Sequence, residues 1–367
     1  AAPYDGSRLK PAAYQGGDFQ YEAPSGLKLE LADMLQFENR TSNTFQSNTM
    51  LTSHPAGAAG VPSEVYVPGG GSITTDGFFY ARAGYAPKDR NYTVNGSLYN
   101  VSDIASIWWF DGRYAFSQRG WRPFLAMQGG VEYNSGASVI GKIDSSVIGV
   151  RVGVHPSARW AVDLSGESIP WRTATVTLPA PVRCNNANYQ ISAGGRVYPG
   201  TTFPYFLPVN AGQCFTNPNG TTTVYYGGWA SPYTDSYSSD PLFTTQISQG
   251  MADRRAPGSS LRASATYTSA NKRVVFIAGD AWFDYGNQLV GQITNEWTLD
   301  ATYRFNPVTS DRYRGWFFRY RYAQRSQTNT FCGVPGTSCA PGAAPGSTYL
   351  GGLPIFKYNR AQLEYDF

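Results

Sequence analysis

The last thirteen residues constrain the fold more than any other part of the chain. In this stretch, IFKYNRAQLEYDF, two kinds of side chain alternate along the sequence. The apolar row, read in steps of two, consists of Ala361, Leu363, Tyr365 and Phe367. The interleaved row consists of Arg360, Gln362, Glu364 and Asp366. A period of two with one apolar and one charged face indicates a β-strand that lies between two unlike surroundings.

The same alternation recurs on about ten further segments, so the chain is predicted to be all-β. A soluble sandwich needs enough continuous apolar sequence for a second covering layer, and the chain has too little of it. We therefore predict a transmembrane antiparallel up-and-down β-barrel that forms a single domain over 1–367. The apolar rows of such a barrel contact lipid, and the polar rows line a water-filled lumen.

The composition favours the same class of fold. Charged residues make up 15% of the chain and aromatic residues another 15%, with 40 Gly and 24 Pro. Few charges, many aromatics and many turn residues are unusual for a cytosolic enzyme and typical of a barrel with aromatic girdles. No apolar run approaches the roughly eighteen residues of a membrane-spanning helix. The net charge of +4 comes without a basic cluster, so no nucleic-acid partner is expected.

Alternation yields about fourteen strands, most of them near the roughly nine to eleven residues of a tilted membrane strand. The weaker signals span Asp76 to Tyr85, Tyr92 to Val101, Thr221 to Tyr226 and Pro241 to Met251. Further strand candidates are Thr173 to Leu178 and Tyr189 to Tyr198, so sixteen or eighteen strands stay open. Residues 1–26 are predicted to be an N-terminal periplasmic segment or first strand. Short turns alternate with long loops, as in bacterial outer-membrane barrels, and the short turns are placed on the periplasmic side.

On each predicted strand, the apolar residues read in steps of two are predicted to face lipid. Near the start this row is Leu27, Leu29, Leu31, Leu35 and Phe37. Further along it is Val275, Ile277, Gly279, Ala281 and Phe283, with Asp280 and Asp284 opposite. Trp109 is an aromatic exception on a polar row, where it could contact a solute. The loop 170–220 is predicted to be a long extracellular or pore-folding loop, although the shorter loop 135–144 is an alternative constriction.

Four cysteines, Cys184, Cys214, Cys332 and Cys339, lie in segments rich in Gly, Pro and Asn rather than on strands. Four cysteines allow three pairings, of which the sequential one is simplest. Two loop disulfides would fit an oxidising compartment such as the periplasm or the cell surface. The start, AAPYDG, is compatible with a mature chain after signal-peptide removal.

Several of these features together resemble Gram-negative outer-membrane porins. The serial aromatic-rich hairpins carry the resemblance, and Phe367 matches the aromatic C-terminal signature that the barrel assembly machinery reads. The segment DPLFTTQISQGMADRRAPGSSLRASATYTS, residues 240–269, and the late strands rich in Tyr and Arg are similar to the OprD-type family of substrate-specific porins. The resemblance implies an eighteen-stranded monomeric channel with a basic ladder on one lumen wall that takes up small carboxylates. The chain is short for eighteen strands and carries cysteines, so we expect an even count of 14 to 18.

Charged side chains on the polar rows are the candidate pore-lining residues. The basic ladder comprises Arg304, Arg319, Arg321, Arg325 and Arg360. The candidate acidic wall comprises Asp111, Glu132, Asp163, Glu167, Asp280 and Asp284. A ladder of arginines can guide anions and bind carboxylates in a bidentate manner. Alternatively, the arginines pair with Asp300, Glu296, Glu364 and Asp366 and only stiffen the wall.

These residues predict a water-filled channel for passive or facilitated diffusion of small solutes, with a lean towards anionic, carboxylate-bearing ones. The expected location is the bacterial outer membrane, in contact with its lipid and lipopolysaccharide, as a monomer or homotrimer. His54 and His155 lack partners at the spacing of a metal site or a catalytic triad, so no catalytic residue, metal or cofactor is predicted. The alternative is a secreted all-β carbohydrate-binding protein or carbohydrate-active enzyme.

Overall fold

The computed structural model describes residues 13–38, 45, 76–88, 91–116, 119–136, 143–177, 182–185, 190–193, 196–197, 213–216, 221–227, 229, 242–247, 250–251, 258–284, 293–306, 315–327 and 356–366. All regular structure in these ranges is β-strand. Over the same ranges, no helix is long and apolar enough to cross a membrane.

Thirteen strands of the described ranges form one antiparallel sheet in which sequence neighbours pair with each other. They are β1 (Ala13–Glu22), β2 (Leu27–Glu38), β3 (Phe78–Tyr85), β4 (Tyr92–Val101), β5 (Ala105–Ala115), β6 (Phe124–Asn134), β7 (Asp144–Val154), β8 (Trp160–Ile169), β15 (Gly258–Thr268), β16 (Val274–Asp284), β17 (Ile293–Arg304), β18 (Gly315–Gln327) and β19 (Phe356–Asp366). This up-and-down order agrees with the all-β antiparallel fold predicted from the alternation. The even count of 14 to 18 stays a prediction, because the count of thirteen covers only the described residues.

A long insertion separates β8 from β15, although these two strands pair with each other along their length. Its short strands are β9 (Arg172–Thr177), β10 (Val182–Asn185), β11 (Gln190–Ala193), β12 (Arg196–Val197), β13 (Gln213–Thr216) and β14 (Thr221–Tyr226). They form two small sheets, β10–β11–β12 and β13–β14–β9, outside the main one. The predicted strands at 173–178, 189–198 and 221–226 therefore do not extend the main sheet.

The two faces of the main sheet are inverted relative to a soluble protein. On the β5–β6 hairpin, Trp108 is 51% exposed and Val131 is 47% exposed, whereas Gln128 and Glu132 are each 1% exposed. The same inversion buries polar groups on other strands: Ser145, Asp163, Ser165, Ser260, Ser264, Glu296, Thr298 and Arg321. Exposure of a whole row of Trp, Phe, Val and Leu side chains to water would be unfavourable. The outer face is therefore suited to lipid and the inner face to polar contacts.

Part of the long insertion packs against the inner face of the sheet. We call residues 242–247 and 250–251 the inner segment. Its apolar side chains Leu242 and Met251 are buried in one cluster with Trp229, and the wall residues of that cluster include Ile169 and Phe283. The inner segment contains a turn rather than a strand, so the strand predicted from Pro241 to Met251 is wrong. Its apolar residues contact the inner wall instead of forming a lipid-facing row.

The face predicted for β16 is also wrong. Gly279 lies opposite Thr298, whose side chain contacts the inner segment, so the row of Ile277, Gly279, Ala281 and Phe283 points inward. Trp282 of the other row is 40% exposed. The reason is packing against the inner segment, because Ala281 and Phe283 belong to the same buried cluster as Leu242 and Met251.

Phe37 is likewise buried instead of facing outward. Gln15 pairs with Gln36 but Gly16 pairs with Met34, so β2 carries one extra residue, Leu35, at this point. A bulge of this kind shifts the alternation by one residue. Phe37 therefore stacks on Phe78 inside the sheet, with ring centroids 5.8 Å apart.

Candidate functional site on the inner face

A cavity of about 440 Å³ lies on the inner face between β5, β6 and β7. Its lining combines basic, acidic and aromatic groups: Thr93, Trp109, Asp111, Gly112, Arg113, Phe124, Ala126, Gln128, Arg151, His155, Ala161 and Phe243. Most of these residues come from the strands of the wall, and Phe243 comes from the inner segment. The site is therefore assembled from the rigid sheet and from one turn that packs against it.

Arg113 and Arg151 of this cavity have different partners. Arg151 donates two hydrogen bonds to the carboxylate of Asp163, at 2.9 and 2.8 Å, in a bidentate ion pair. The guanidinium of Arg113 lies 4.3 Å from the centre of the Phe124 ring and 3.2 Å from His155 Nε2. No described carboxylate forms an ion pair with Arg113. Arg113 therefore presents an uncompensated positive charge beside an aromatic surface, which suits an anion with an apolar body.

His155 lies in the turn after β7, at the rim of the cavity. Burial lowers the pKa of His155, and the positive charges of Arg113, Arg122 and Arg151 lower the pKa further. Its Nε2 faces the Arg113 guanidinium, which can only donate, so a neutral imidazole that accepts the hydrogen bond fits best. The cavity therefore gains its positive charge from arginine rather than from histidine at neutral pH.

The predicted basic ladder lies on β17, β18 and β19. Arg319 donates to Asp300 at 2.8 Å, and Arg321 Nε lies 3.4 Å from the same carboxylate. The register places Arg360 opposite Arg321 and Glu296 opposite Arg325. Arg304 donates to the carbonyl oxygen of Lys272 at 2.7 Å. Arg319 and Arg321 thus have the acidic partner that the stiffening alternative requires, and anion guidance by the ladder stays a prediction.

The predicted acidic wall divides into two groups. Asp111 accepts a hydrogen bond from Asn95 at 2.7 Å, Asp163 pairs with Arg151, and Glu132 and Glu167 are buried on the inner face. Asp280 and Asp284 belong to the outward row of β16, and Asp280 accepts a hydrogen bond from Asn295 of that same face. Asp280 and Asp284 therefore do not line the lumen, because the other row of β16 packs against the inner segment.

Sequence analysis identifies two residues that line the cavity, Trp109 and Asp111, but not the arginines beside them. The alternation along β5 places Arg113 on the same row as Trp109, but no local pattern predicts that these two residues lie next to Arg151 or Phe243. Arg262 was also missed, although it donates to the carbonyl oxygen of Phe243 at 3.0 Å. The alternation alone could have identified these arginines as facing inward. Their grouping depends on contacts between distant parts of the chain.

The structure gives partial information on the other predicted sites. Cys184 lies in β10 and Cys214 in β13, so the expectation that both lie off strands is wrong. Cys332, Cys339 and Phe367 lie outside the described residues, as does the loop at 137–142. Among the described residues, no group of three or more His, Cys, Asp or Glu could hold a metal ion.

Comparison with known proteins identifies the fold. No family model matches the chain, and no curated protein matches it either. Solved structures from Pseudomonas aeruginosa do match: the outer membrane protein OpdK (14% identity, TM-score 0.56, 89% of this chain and 68% of OpdK) and OpdG (15% identity, TM-score 0.54, 88% and 64%). OpdF in complex with glucuronate matches over 99% of this chain and 73% of its own length, with 10% identity and a TM-score of 0.59. The chain therefore spans about two thirds of the length of these proteins and shares their fold, which agrees with the β-barrel predicted from the sequence.

Proposed function

We propose that this protein is an outer-membrane porin, a channel for passive or facilitated diffusion of small solutes that favours anionic, carboxylate-bearing compounds. The observation that carries the proposal is the cavity on the inner face, where Arg113 is uncompensated and lies beside Phe124 and Trp109. A charged residue at close quarters replaces part of the hydration of a permeant ion and sets its sign preference. The surrounding aromatic rings would contact the apolar part of the solute.

The inverted faces of the sheet support a location in the outer membrane. A carbohydrate-binding sandwich or enzyme, the alternative, would bury its apolar rows under a second layer. Here apolar side chains such as Trp108 and Val131 are exposed, whereas the polar side chains of Gln128, Glu132 and Glu167 are buried on the opposite face. The structural neighbours provide further support, because OpdK has been solved with vanillate and OpdF with glucuronate, and both ligands carry a carboxylate. We propose no catalytic activity and no cofactor for this fold.

The remaining partners follow from the proposed location. The outer face would contact lipid and lipopolysaccharide, the barrel assembly machinery would insert the protein, and the protein would act as a monomer or homotrimer. Heat-modifiable migration on gels in detergent is the expected mark of a barrel. A protein that runs in buffer without detergent as a compact monomer would favour the soluble alternative.

Conductance in a planar bilayer tests the channel directly. We expect discrete single-channel steps, a reversal potential across a KCl gradient that shows preference for chloride, and concentration-dependent block by glucuronate or vanillate. Absence of conductance from correctly folded protein would contradict the proposal. Preference for potassium would contradict the anionic lean but would leave the channel itself in place.

A further inference from the structure

The carboxylate of Glu167 is buried on the inner face, and its hydrogen bonds come mainly from the inner segment. Glu167 Oε1 accepts from the backbone N–H of Phe243, and Oε2 accepts from the backbone N–H of Thr244 at 3.2 Å. The hydroxyl of Thr244 donates to Oε2, and Gln128 Nε2 donates to Oε1 at 2.5 Å. Two successive backbone donors of one turn are thus satisfied by a single carboxylate on β8.

The turn that Glu167 holds is short and closed. The N–H of Thr245 donates to the carbonyl oxygen of Leu242 at 3.3 Å, which closes the turn 242–245. The carbonyl oxygen of Phe243 accepts from Arg262 Nη1 at 3.0 Å and from Ser165 Oγ at 3.4 Å. The peptide groups on both sides of Phe243 are therefore fixed to β8 and β15.

The side chain of Phe243 lines the cavity together with Arg151 and His155. We infer that Glu167 is a positioning residue: it holds the turn 242–245 as a constriction of the channel and holds Phe243 as one wall of the solute site. This inference rests on the proposed function, because a constriction has meaning only in a conducting barrel. Glu167 acts through Phe243 and Thr244 and does not line the cavity itself.

The chemistry of the carboxylate explains why this position is sensitive. A carboxylate offers only acceptors, and here its acceptors meet two N–H groups, a hydroxyl and an amide. Glutamine at the same place would offer one acceptor oxygen and one NH₂ group, so an N–H would face another donor. The strand β8 would persist, because its backbone pairs with β7 and β15 along its length. The substitution should therefore release the turn and leave the wall intact.

The rest of the inner segment keeps a second attachment. Leu242 and Met251 are buried against Ile169 and Phe283, and Thr298 donates to Gln246 Oε1 at 2.8 Å. The segment would therefore stay close to the wall after the turn is released. We expect fluctuation between a constricted and a wider channel rather than permanent loss of the constriction.

The test compares Glu167→Gln with a matched control, Glu364→Gln. Glu364 also carries a carboxylate on the polar row, but it accepts from Gln362 of its own strand, at 2.6 Å, and does not touch the turn. Both variants lose one negative charge, so a difference between them reports position rather than charge. In Glu167→Gln we expect a higher and noisier single-channel conductance together with weaker block by glucuronate, and in the control we expect neither change.

A reversible cross-link gives the reciprocal result. Thr244 Oγ1 lies 2.6 Å from Ser260 Oγ, so Thr244→Cys/Ser260→Cys can join the turn to β15. Added to Glu167→Gln, the oxidised pair should restore the lower conductance, and reduction should raise the conductance again. The inference is wrong if Glu167→Gln and Glu364→Gln behave alike, or if the cross-link leaves the conductance of Glu167→Gln unchanged.

A labelling experiment in detergent separates this inference from the proposed function. A cysteine in place of Phe243 should react with a water-soluble maleimide about tenfold faster or more when Glu167→Gln is also present, the factor expected for loss of one hydrogen bond to a charged group. Protein without the added cysteine serves as the blank. Faster labelling without any conductance in bilayers would keep the positioning role and reject the channel. Conductance with unchanged labelling would keep the channel and reject the positioning role.

Discussion

Two parts of the inner face carry arginines, and the arginines of the two parts have different partners. On the wall of β17 to β19, Arg319 and Arg321 share the carboxylate of Asp300, and Arg321 is 7% exposed. On the wall of β5 to β7, Arg113 rests on the Phe124 ring beside an open cavity and has no described carboxylate partner. A solute can reach a guanidinium only where another group of the protein does not already occupy it. The number of arginines on a wall is therefore a poor guide to where a solute binds.

Arg113→Gln should produce the largest effect. It removes the uncompensated guanidinium from the cavity, so block by glucuronate should weaken roughly tenfold or more, as expected for a lost hydrogen bond to a charged group. The matched control is Arg122→Gln, which removes the same charge nearby from a residue that donates to Ser157 O at 2.6 Å and does not line the cavity. Titration of single-channel current with glucuronate gives both blocking constants, and equal losses would contradict the assignment of the site to Arg113.

Asp300→Asn should leave Arg319 and Arg321 without their shared carboxylate, so that these arginines resemble Arg113. It releases Arg319 and Arg321 and adds one unit of positive charge, worth about 0.8 kcal/mol at roughly 5 Å in water, or about a fourfold rise in anion preference. Reversal potentials across a salt gradient measure this change. Glu364→Gln is the control, because Glu364 accepts from Gln362 of its own strand at 2.6 Å and does not line the cavity.

Both substitutions add the same charge, so the extra effect of Asp300→Asn reports the freed guanidiniums. If the two variants shift the reversal potential equally, the pairing of Arg319 and Arg321 has no influence on permeation. The ion pairs of Arg319 and Arg321 with Asp300 would then stiffen the wall of the wild-type protein without affecting which ions permeate.

The contrast also shows how far the sequence alone can lead. The fold followed from alternation, since a period of two with one apolar row needs only neighbouring residues to be recognised. The faces of β16 could not be assigned in this way. Ala281 and Phe283 belong to one buried cluster with Leu242 and Met251, which lie about thirty to forty residues away in sequence, a separation that local patterns do not reach. Phe37 was misassigned for a related reason, since the extra residue at Leu35 is visible only in the pairing with β1.

The candidate site was less accessible to sequence reasoning than the fold. Glu167 was predicted as a pore-lining acid because it stood on a polar row. In the structure its carboxylate is occupied by Phe243 and Thr244, which lie in a segment predicted to be a strand of the wall. A polar row specifies which side chains face inward, but the partners of these side chains depend on how an inserted segment folds back. Arg113 and Arg319 illustrate the same point, because both lie on polar rows of the sequence but have different partners in the structure.

The smallest expected effect concerns pH, and it tests the cavity rim by itself. Burial and the nearby arginines lower the pKa of His155 below its ordinary value of 6.5, so the imidazole is neutral at pH 7 and becomes charged only in more acidic solution. The added charge at the rim should raise anion preference by about twofold as the pH falls below that range, given roughly 0.5 kcal/mol for a unit charge about 8 Å away in water.

The folded state binds the proton of His155 less well than the unfolded state does. The contribution of His155 to stability is therefore complete above about pH 6.5 and declines as the pH falls below it. Reversal potentials measured between about pH 8.5 and about pH 4.5, within about two units of the ordinary pKa, should show this step in the wild type and lack it in His155→Gln. A step that persists in the variant would assign the titration to another group.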